Sequence, residues 1–254
     1  MNEPESKAEQ YPTSTDRWAK HPWVPYVAPM FAFLLIAEVA GRTPQGWAFP
    51  LLVCRVIVPL ALLIIFRSTG AYPELRFAVS RKTLADLLVG ILLALVWMVP
   101  YVVVPTLRPE GSEGVFDPKM LGATLVPLVI SFRLLGYAIV TPFMEELFMR
   151  SFLMRYADAF DSEEDFRKLP IGRYTLRSFL VVVAVFVATH VVWEWWVMVP
   201  WAILSNLWFY YRRDLFAIVV VHAATNATIL LSALFLSGKF ADGSGGSLSL
   251  WFFV

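Results

Sequence analysis

Apolar runs separated by short charged stretches set the rhythm of the chain. Seven runs stand out, at about 24–40, 47–66, 84–107, 121–141, 179–196, 197–211 and 215–236. None alternates apolar and polar positions as a half-buried strand does, so each predicts a helix. The last run, 215–236, would extend about 33 Å at 1.5 Å per residue, enough to cross a hydrocarbon core of about 30 Å. The fifth and sixth runs merge. Only Glu194 and Pro200 interrupt the stretch from Phe179 to Leu204, and the sixth is short. Lipid offers backbone groups no hydrogen-bond partner, which again requires helices. The predicted fold class is all-α: a polytopic transmembrane helix bundle of about seven spans.

Composition sharpens this. Hydrophobic residues make up 58% of the 254 residues and charged residues 16%, against about 25% charged in soluble domains. That excludes an ordinary soluble globule, a disordered chain and a disulfide scaffold. The net charge of +1 gives no basic field for nucleic acid. The lone cysteine, Cys54, forbids an intrachain disulfide. The first 22 residues are polar and mixed in charge, without the apolar core of a signal peptide.

Charge also orients the spans. With the N-terminus inside, the inside segments hold fifteen Lys and Arg, including Lys7, Arg17, Arg67, Arg81, Arg155, Lys168 and Arg212. The outside segments hold four: Arg42, Arg108, Lys119 and Lys239. The positive-inside rule then predicts N-in, C-out and an odd number of spans, with Glu145 opening toward the cytoplasmic half. The 151–178 connection alternates acids and bases and reads as a cytoplasmic amphipathic segment. Gly238–Gly246 reads as a flexible stretch, and the apolar Leu248–Val254 as a contact with the outer leaflet. No internal repeat is visible, which argues against an inverted-repeat transporter.

Ionisable groups inside spans are functional candidates: here Glu38, Arg55, Arg133, Glu145, Glu146, His190, Glu194 and His222. Pro142 is expected to break or restart the fourth helix. Beyond it, Glu146 and Arg150 are spaced i,i+4 and can pair. Glu145 is rotated by about 100° and left without a local partner, which suits a general base. A membrane-edge charge cluster is the bland alternative. His190 closes the segment Phe186–His190, and His222 opens His222–Asn226 with the two polar residues on one face. A lone histidine on an apolar helix is usually a core residue. Two of them, with an unpaired glutamate in a third helix, could instead share one intramembrane cavity.

Two chemistries fit that set. Glu145 and a histidine could activate water against a peptide carbonyl, with His222 or Asn226 stabilising the oxyanion. Alternatively Glu145, His190 and His222 could hold a zinc ion with an open position. No HExxH helix is present. No GxSxG occurs, and Cys54 lies two spans before these histidines, so serine and cysteine proteolysis are disfavoured.

At these residues the chain resembles the CAAX proteases and bacteriocin-processing enzymes, the CPBP or Abi-type intramembrane proteases. Three ordered motifs carry the likeness: EExxxR at Glu145-Glu146-Leu147-Phe148-Met149-Arg150, FxxxH from Phe186 to His190, and HxxxN from His222 to Asn226. The likeness spans roughly residues 120–236. It implies that Glu145 and His190 activate water, that His222 and Asn226 form the oxyanion site, and that Glu146 and Arg150 support them. It implies a peptide or membrane-protein substrate within a lipid bilayer. Type II CAAX endopeptidases remove a C-terminal tripeptide after prenylation; other members are linked to exosortase or bacteriocin systems. The family's naming includes both glutamic protease and metalloprotease. No cofactor is required on the favoured reading, with zinc on Glu145, His190 and His222 as its rival. The expected organisation is a polar cytoplasmic tail at 1–22, three transmembrane helices at 23–120, a CAAX-protease-like core at 121–237 and a tail at 238–254. A multi-pass membrane protein is expected, at the plasma membrane in a bacterium. Two other functions compete: a non-catalytic partner or immunity protein on the same fold, and a transporter using Glu38, Arg55 and Arg133.

Overall fold

The computed structural model describes residues 18–109, 118, 122–162 and 164–254. Most of the polar tail, with Lys7 and Arg17, lies outside the described residues, as do Lys119, the expected span start at 121, and Glu163. The described residues form an all-helical bundle. Seven helices account for it: α1 Val24–Arg42, α2 Ala48–Ser68, α3 Arg81–Val103, α4 Ala123–Ala159, α5 Leu176–Ala188, α6 Trp195–Arg212 and α7 Leu215–Leu236. Each overlaps one of the seven apolar runs.

Five of these helices, α1 to α4 and α7, are long and apolar enough to cross a membrane. The expectation of about seven spans differs from the observed helices at three of the runs. Helix α4 runs for 37 residues, far past position 141. Helix α5 has only 13 residues. Helix α6 has 18 residues, and Ser205, Asn206, Tyr210 and Tyr211 dilute its apolar character.

Pro142 does not break α4. The turn before it, Gly136–Val140, is π-helical, and the Thr141 N–H reaches the Gly136 carbonyl. The wider turn makes room for the proline ring and its missing N–H. A second π-helical stretch, Leu147–Leu153, follows directly. The helix therefore continues into residues expected to lie in a connecting loop.

Side-chain caps fix several helix starts. Ser80 and Thr83 form a reciprocal capping box on α3. Thr175 caps α5, and Asp214 accepts from the Phe216 and Ala217 N–H groups at the start of α7. Between α6 and α7, Arg213 adopts a left-handed φ of 49°, which closes the turn in two residues.

Successive helices run up and down, so their ends fall into two groups. At one end Glu74 accepts hydrogen bonds from Tyr26 at 2.9 Å and Arg155 at 2.8 Å. At the same end Asp86 of α3, fully buried, accepts from Trp208 at 2.9 Å and Arg212 at 2.8 Å of α6. This end carries Arg67, Arg76, Arg81, Arg155, Arg212 and Arg213 and is the basic end. Asp86 belongs among the intramembrane ionisable groups, and the sequence reading passed it over.

At the far end Tyr101 donates to the Trp193 carbonyl at 2.6 Å, and Arg108 binds the Tyr101, Val102 and Asp242 carbonyls. The C-terminal stretch folds back here. Asp242 accepts from the Ser244 and Gly246 N–H groups, and Leu248 is bonded to Phe240 and Gly238. Leu248, Leu250 and Phe253 are buried, with Phe253 against Tyr101. The segment expected to be flexible and lipid-facing is an ordered cap, because its apolar side chains find an aromatic cluster to join.

The bundle's outer surface is apolar. On α3, Leu87, Leu88, Ile91, Leu92, Leu95 and Val99 are all exposed, a contiguous apolar patch that suits lipid better than water. Helix α7 is the most enclosed, 61% buried over its apolar window against 22–39% for the other four long helices. It carries His222 and Asn226 into the interior. Gly90 of α3 lets α7 approach so closely that a Cβ there would lie 2.4 Å from the Val221 carbonyl oxygen.

Candidate active site

Helices α4 and α7 bring the two glutamates and His222 together. The His222 Nδ1 lies 2.7 Å from Glu146 Oε1, and its Nε2 lies 3.8 Å from Glu145 Oε2. Glu146 in turn accepts from Arg150 Nη1 at 2.9 Å on Oε1, and its Oε2 forms an ion pair with the same nitrogen at 2.8 Å. Both members of that ion pair are fully buried. Such a pair is tolerable only when its remaining polar groups are satisfied. Arg150 satisfies its own by donating to Ser205 Oγ at 2.7 Å and Asn206 Oδ1 at 3.2 Å on α6. Its flat face lies 4.2 Å from the centre of the Phe186 ring. The EExxxR segment is thus anchored from three sides. The Ser205-Asn206 dipeptide, a polar insertion in an apolar run, is the signal that could have pointed to this role.

These contacts fix proton positions. A carboxylate only accepts, so the His222 Nδ1 carries the hydrogen that Glu146 receives. The Nε2 then faces Glu145. Glu145, which the sequence left without a partner, therefore has one across the bundle.

His190 does not sit inside a helix. Helix α5 ends at Ala188, and His190 follows in the turn. Its Nδ1 lies 2.7 Å from the Phe186 carbonyl. A carbonyl also only accepts, so Nδ1 is the N–H and Nε2 holds the lone pair. The phenylalanine of FxxxH thus serves twice: its ring supports Arg150, and its carbonyl sets the tautomer of His190. Trp97 flanks His190 and Trp201 flanks His222, with ring centroids 5.7 and 4.9 Å apart. Asn226 donates from Nδ2 to the Tyr137 carbonyl at 2.8 Å, which holds one amide hydrogen and leaves the other.

Glu145, His190, His222 and Asn226 all line one cavity of about 560 Å³. Glu146 and Arg150 stand behind its wall. The floor is closed: the Glu145 side chain is 13% exposed and that of His222 7%. The rim carries Glu38, Thr189, Val191, Glu194 and Val254, residues of the far end. The cavity therefore reaches the far end of the bundle. The reason is the short α5, whose end at His190 leaves the far side of the bundle hollow.

Among the described residues, no three His, Cys, Asp or Glu side chains gather at a spacing that would hold a metal ion. Each histidine commits its Nδ1 to a protein oxygen, and Glu145 approaches the imidazole of His222 alone within ion-pair range.

Residues 127–228 match the family model described as Type II CAAX prenyl endopeptidase Rce1-like. No curated protein and no solved structure matches the chain. The matched stretch runs from the first turn of α4 to the middle of α7 and takes in all three motifs. With helices apolar enough to span a membrane around it, this stretch is similar to the CAAX protease, or CPBP, family of proteases.

Proposed function

We propose that the protein is an intramembrane endopeptidase in which Glu145 and His190 activate a water molecule for attack on a peptide carbonyl. One observation carries this reading: Glu145, His190, His222 and Asn226 line a single cavity closed at its floor. Water bound between the Glu145 carboxylate and the His190 Nε2 gives a proton to Glu145 as its oxygen bonds to the carbonyl carbon. The carbonyl oxygen becomes an oxyanion within reach of the second Asn226 amide hydrogen. When the carbon–nitrogen bond breaks, Glu145 returns the proton to the leaving amine. Glu146 and Arg150 hold the His222 ring in place throughout and meet no substrate.

No metal is needed for these steps. Glu145→Gln should nearly abolish turnover in detergent while the protein stays folded, since an amide cannot take the proton. Full activity in Glu145→Gln would sink the reading, and so favour a non-catalytic partner or immunity protein. Complete loss of wild-type activity with a strong chelator, restored by Zn²⁺, would overturn the metal-free mechanism and leave the peptidase standing.

The topology belongs to the same proposal. All seven helices sit within the membrane region, N-in and C-out, in a multi-pass protein whose basic end faces the cytoplasm. The cavity then opens on the opposite face. Its substrate is a peptide or membrane-protein segment that arrives through the bilayer or from that face.

A further inference from the structure

We infer that a pocket at the basic end of the bundle binds the phosphate of an anionic membrane lipid, whose acyl chains lie along α3. The inference goes beyond the peptidase reading and does not depend on it. The pocket measures about 820 Å³ and shares no lining residue with the cavity of Glu145. Three helix ends meet there: the start of α3, the end of α6 and the start of α7. The loop before α3 and Ile171 complete its lining. The lining carries Arg76, Arg81, Lys82, Arg212 and Arg213 against Glu74 and Asp214. Both acids are engaged. Glu74 accepts from Tyr26 and Arg155, and Asp214 accepts from the Phe216 and Ala217 N–H groups. Arg212 is bound to Asp86.

The side chains of Arg76, Arg81, Lys82 and Arg213 have no hydrogen bond or ion pair among the described residues. Like charges gathered around one space repel, and an anion among them relieves that repulsion. Phosphate is the anion that arginine and lysine donors suit best, since its oxygens accept from several directions at once. Arg213 adds an independent observation. It stands just past the end of α6, where glycine is usual, with a left-handed φ of 49°. Any side chain is disfavoured in that conformation. Its stem lies along Gly172, where a Cβ would come 3.0 Å from Arg213 Cγ. An arginine kept at a glycine position points to a use for its guanidinium.

The setting selects a lipid as the source of the phosphate. Arg81 heads a row of α3 side chains at helical spacing, Leu84, Leu88, Ile91 and Leu95, all exposed on the outside of the bundle. In the loop leading into α3, Phe77 and Val79 are exposed at 58% and 82%. Phe77 is held by Phe143 and Phe216, which fixes the loop that carries Arg76. Apolar surface fit for acyl chains thus runs directly into the cationic pocket, as the two parts of a phospholipid require. Anionic lipids are concentrated in the cytoplasmic leaflet, the leaflet that the N-in arrangement gives to this end.

The test is native mass spectrometry of the purified protein in detergent, with dioleoyl-phosphatidylglycerol or dioleoyl-phosphatidylcholine added. The wild type should hold phosphatidylglycerol at least roughly tenfold more tightly than phosphatidylcholine. Arg81→Gln with Arg213→Asn should bring the two lipids within about twofold of each other. Asparagine tolerates the left-handed backbone, so the turn after α6 is kept. Arg76→Gln with Lys82→Gln, both at exposed positions outside that turn, should weaken the preference in the same way. Lys168→Gln with Arg173→Gln removes two exposed cations of the same end that do not line the pocket, and should leave the preference intact. Equal retention of both lipids by the wild type, or an unchanged preference in both pocket variants, would overturn the site. An equal loss in the Lys168 and Arg173 variant would also overturn it, reducing it to the general positive field of that end. Inorganic phosphate or glycerol phosphate in excess should not displace the lipid. Displacement by either would overturn the lipid assignment in favour of a soluble phosphate.

Discussion

Asn226 has one amide hydrogen tied to the Tyr137 carbonyl, so its orientation is set before any substrate arrives. A donor fixed in advance loses little on reorganisation and acts mainly on the transition state. Asn226→Ala is therefore expected to lower kcat by roughly 10²–10³ with a smaller change in KM. A loss confined to KM would reassign Asn226 to substrate binding. Asp86 works on stability instead. It receives three hydrogen bonds from Trp208 and Arg212 and is nearly inaccessible, at 1% exposure. Asp86→Ala leaves the partly exposed Arg212 guanidinium without its partner, a change worth about 1–3 kcal/mol. The check is the unfolding midpoint in detergent, which should fall clearly. An unchanged midpoint would mean that the pair is solvated. Motif spacing revealed Glu145, Glu146 and Arg150 because i,i+4 neighbours are local. It could not reveal that Glu146 reaches His222, since that contact joins residues 76 positions apart.

Among the helices, the tight pairing of α3 with α7 decides whether the site exists. Gly90 has backbone on its doorstep, with a virtual Cβ 2.4 Å from the Val221 oxygen and 2.6 Å from the Ala224 Cβ. Thr225 seals the contact by donating to the Gly90 carbonyl at 2.9 Å. His222 and Asn226 flank that threonine on both sides. Gly90→Ala should force the helices apart, cost about 1–3 kcal/mol, and reduce turnover more than the stability loss explains. Wild-type rates in Gly90→Ala would show that α3 yields without moving the site. Helix identity was readable along most of the chain, because apolar periodicity and length survive in one dimension. Helix ends were not. The proline at 142 reads as a stop in one dimension, and only the π-turn before it explains why α4 continues. His190 reads as helical because Ala188, Thr189 and Val191 are apolar or neutral neighbours, while the turn after Ala188 depends on packing.

For the whole molecule, the polar ties are divided between two ends and the catalytic groups lie between them, nearer the basic end. If that end is cytoplasmic, Thr189 at the rim faces the other side. In a Cys54→Ser background, Thr189→Cys should react with a membrane-impermeant thiol reagent in right-side-out vesicles and be protected in inverted ones. The opposite pattern would reverse the orientation. A further consequence follows from α5. Its 13 residues rise only about 20 Å, some 10 Å less than a typical hydrocarbon core. The turn beyond it exposes Val192, and the first turn of α6 exposes Trp196, at 70% and 74%, and tryptophan settles at the membrane–water boundary. If lipid follows that contour, the bilayer beside α5 is expected to be locally thin, and stretching it would carry an energetic cost. Catalysis should depend on acyl-chain length: fastest in vesicles of short-chain lipids, slower in long-chain ones, with the catalytic residues unchanged. A rate indifferent to thickness would mean that lipid does not follow the contour of α5. Otherwise the short helix makes the enzyme a gauge of the membrane it inhabits, most active where the bilayer is thinnest.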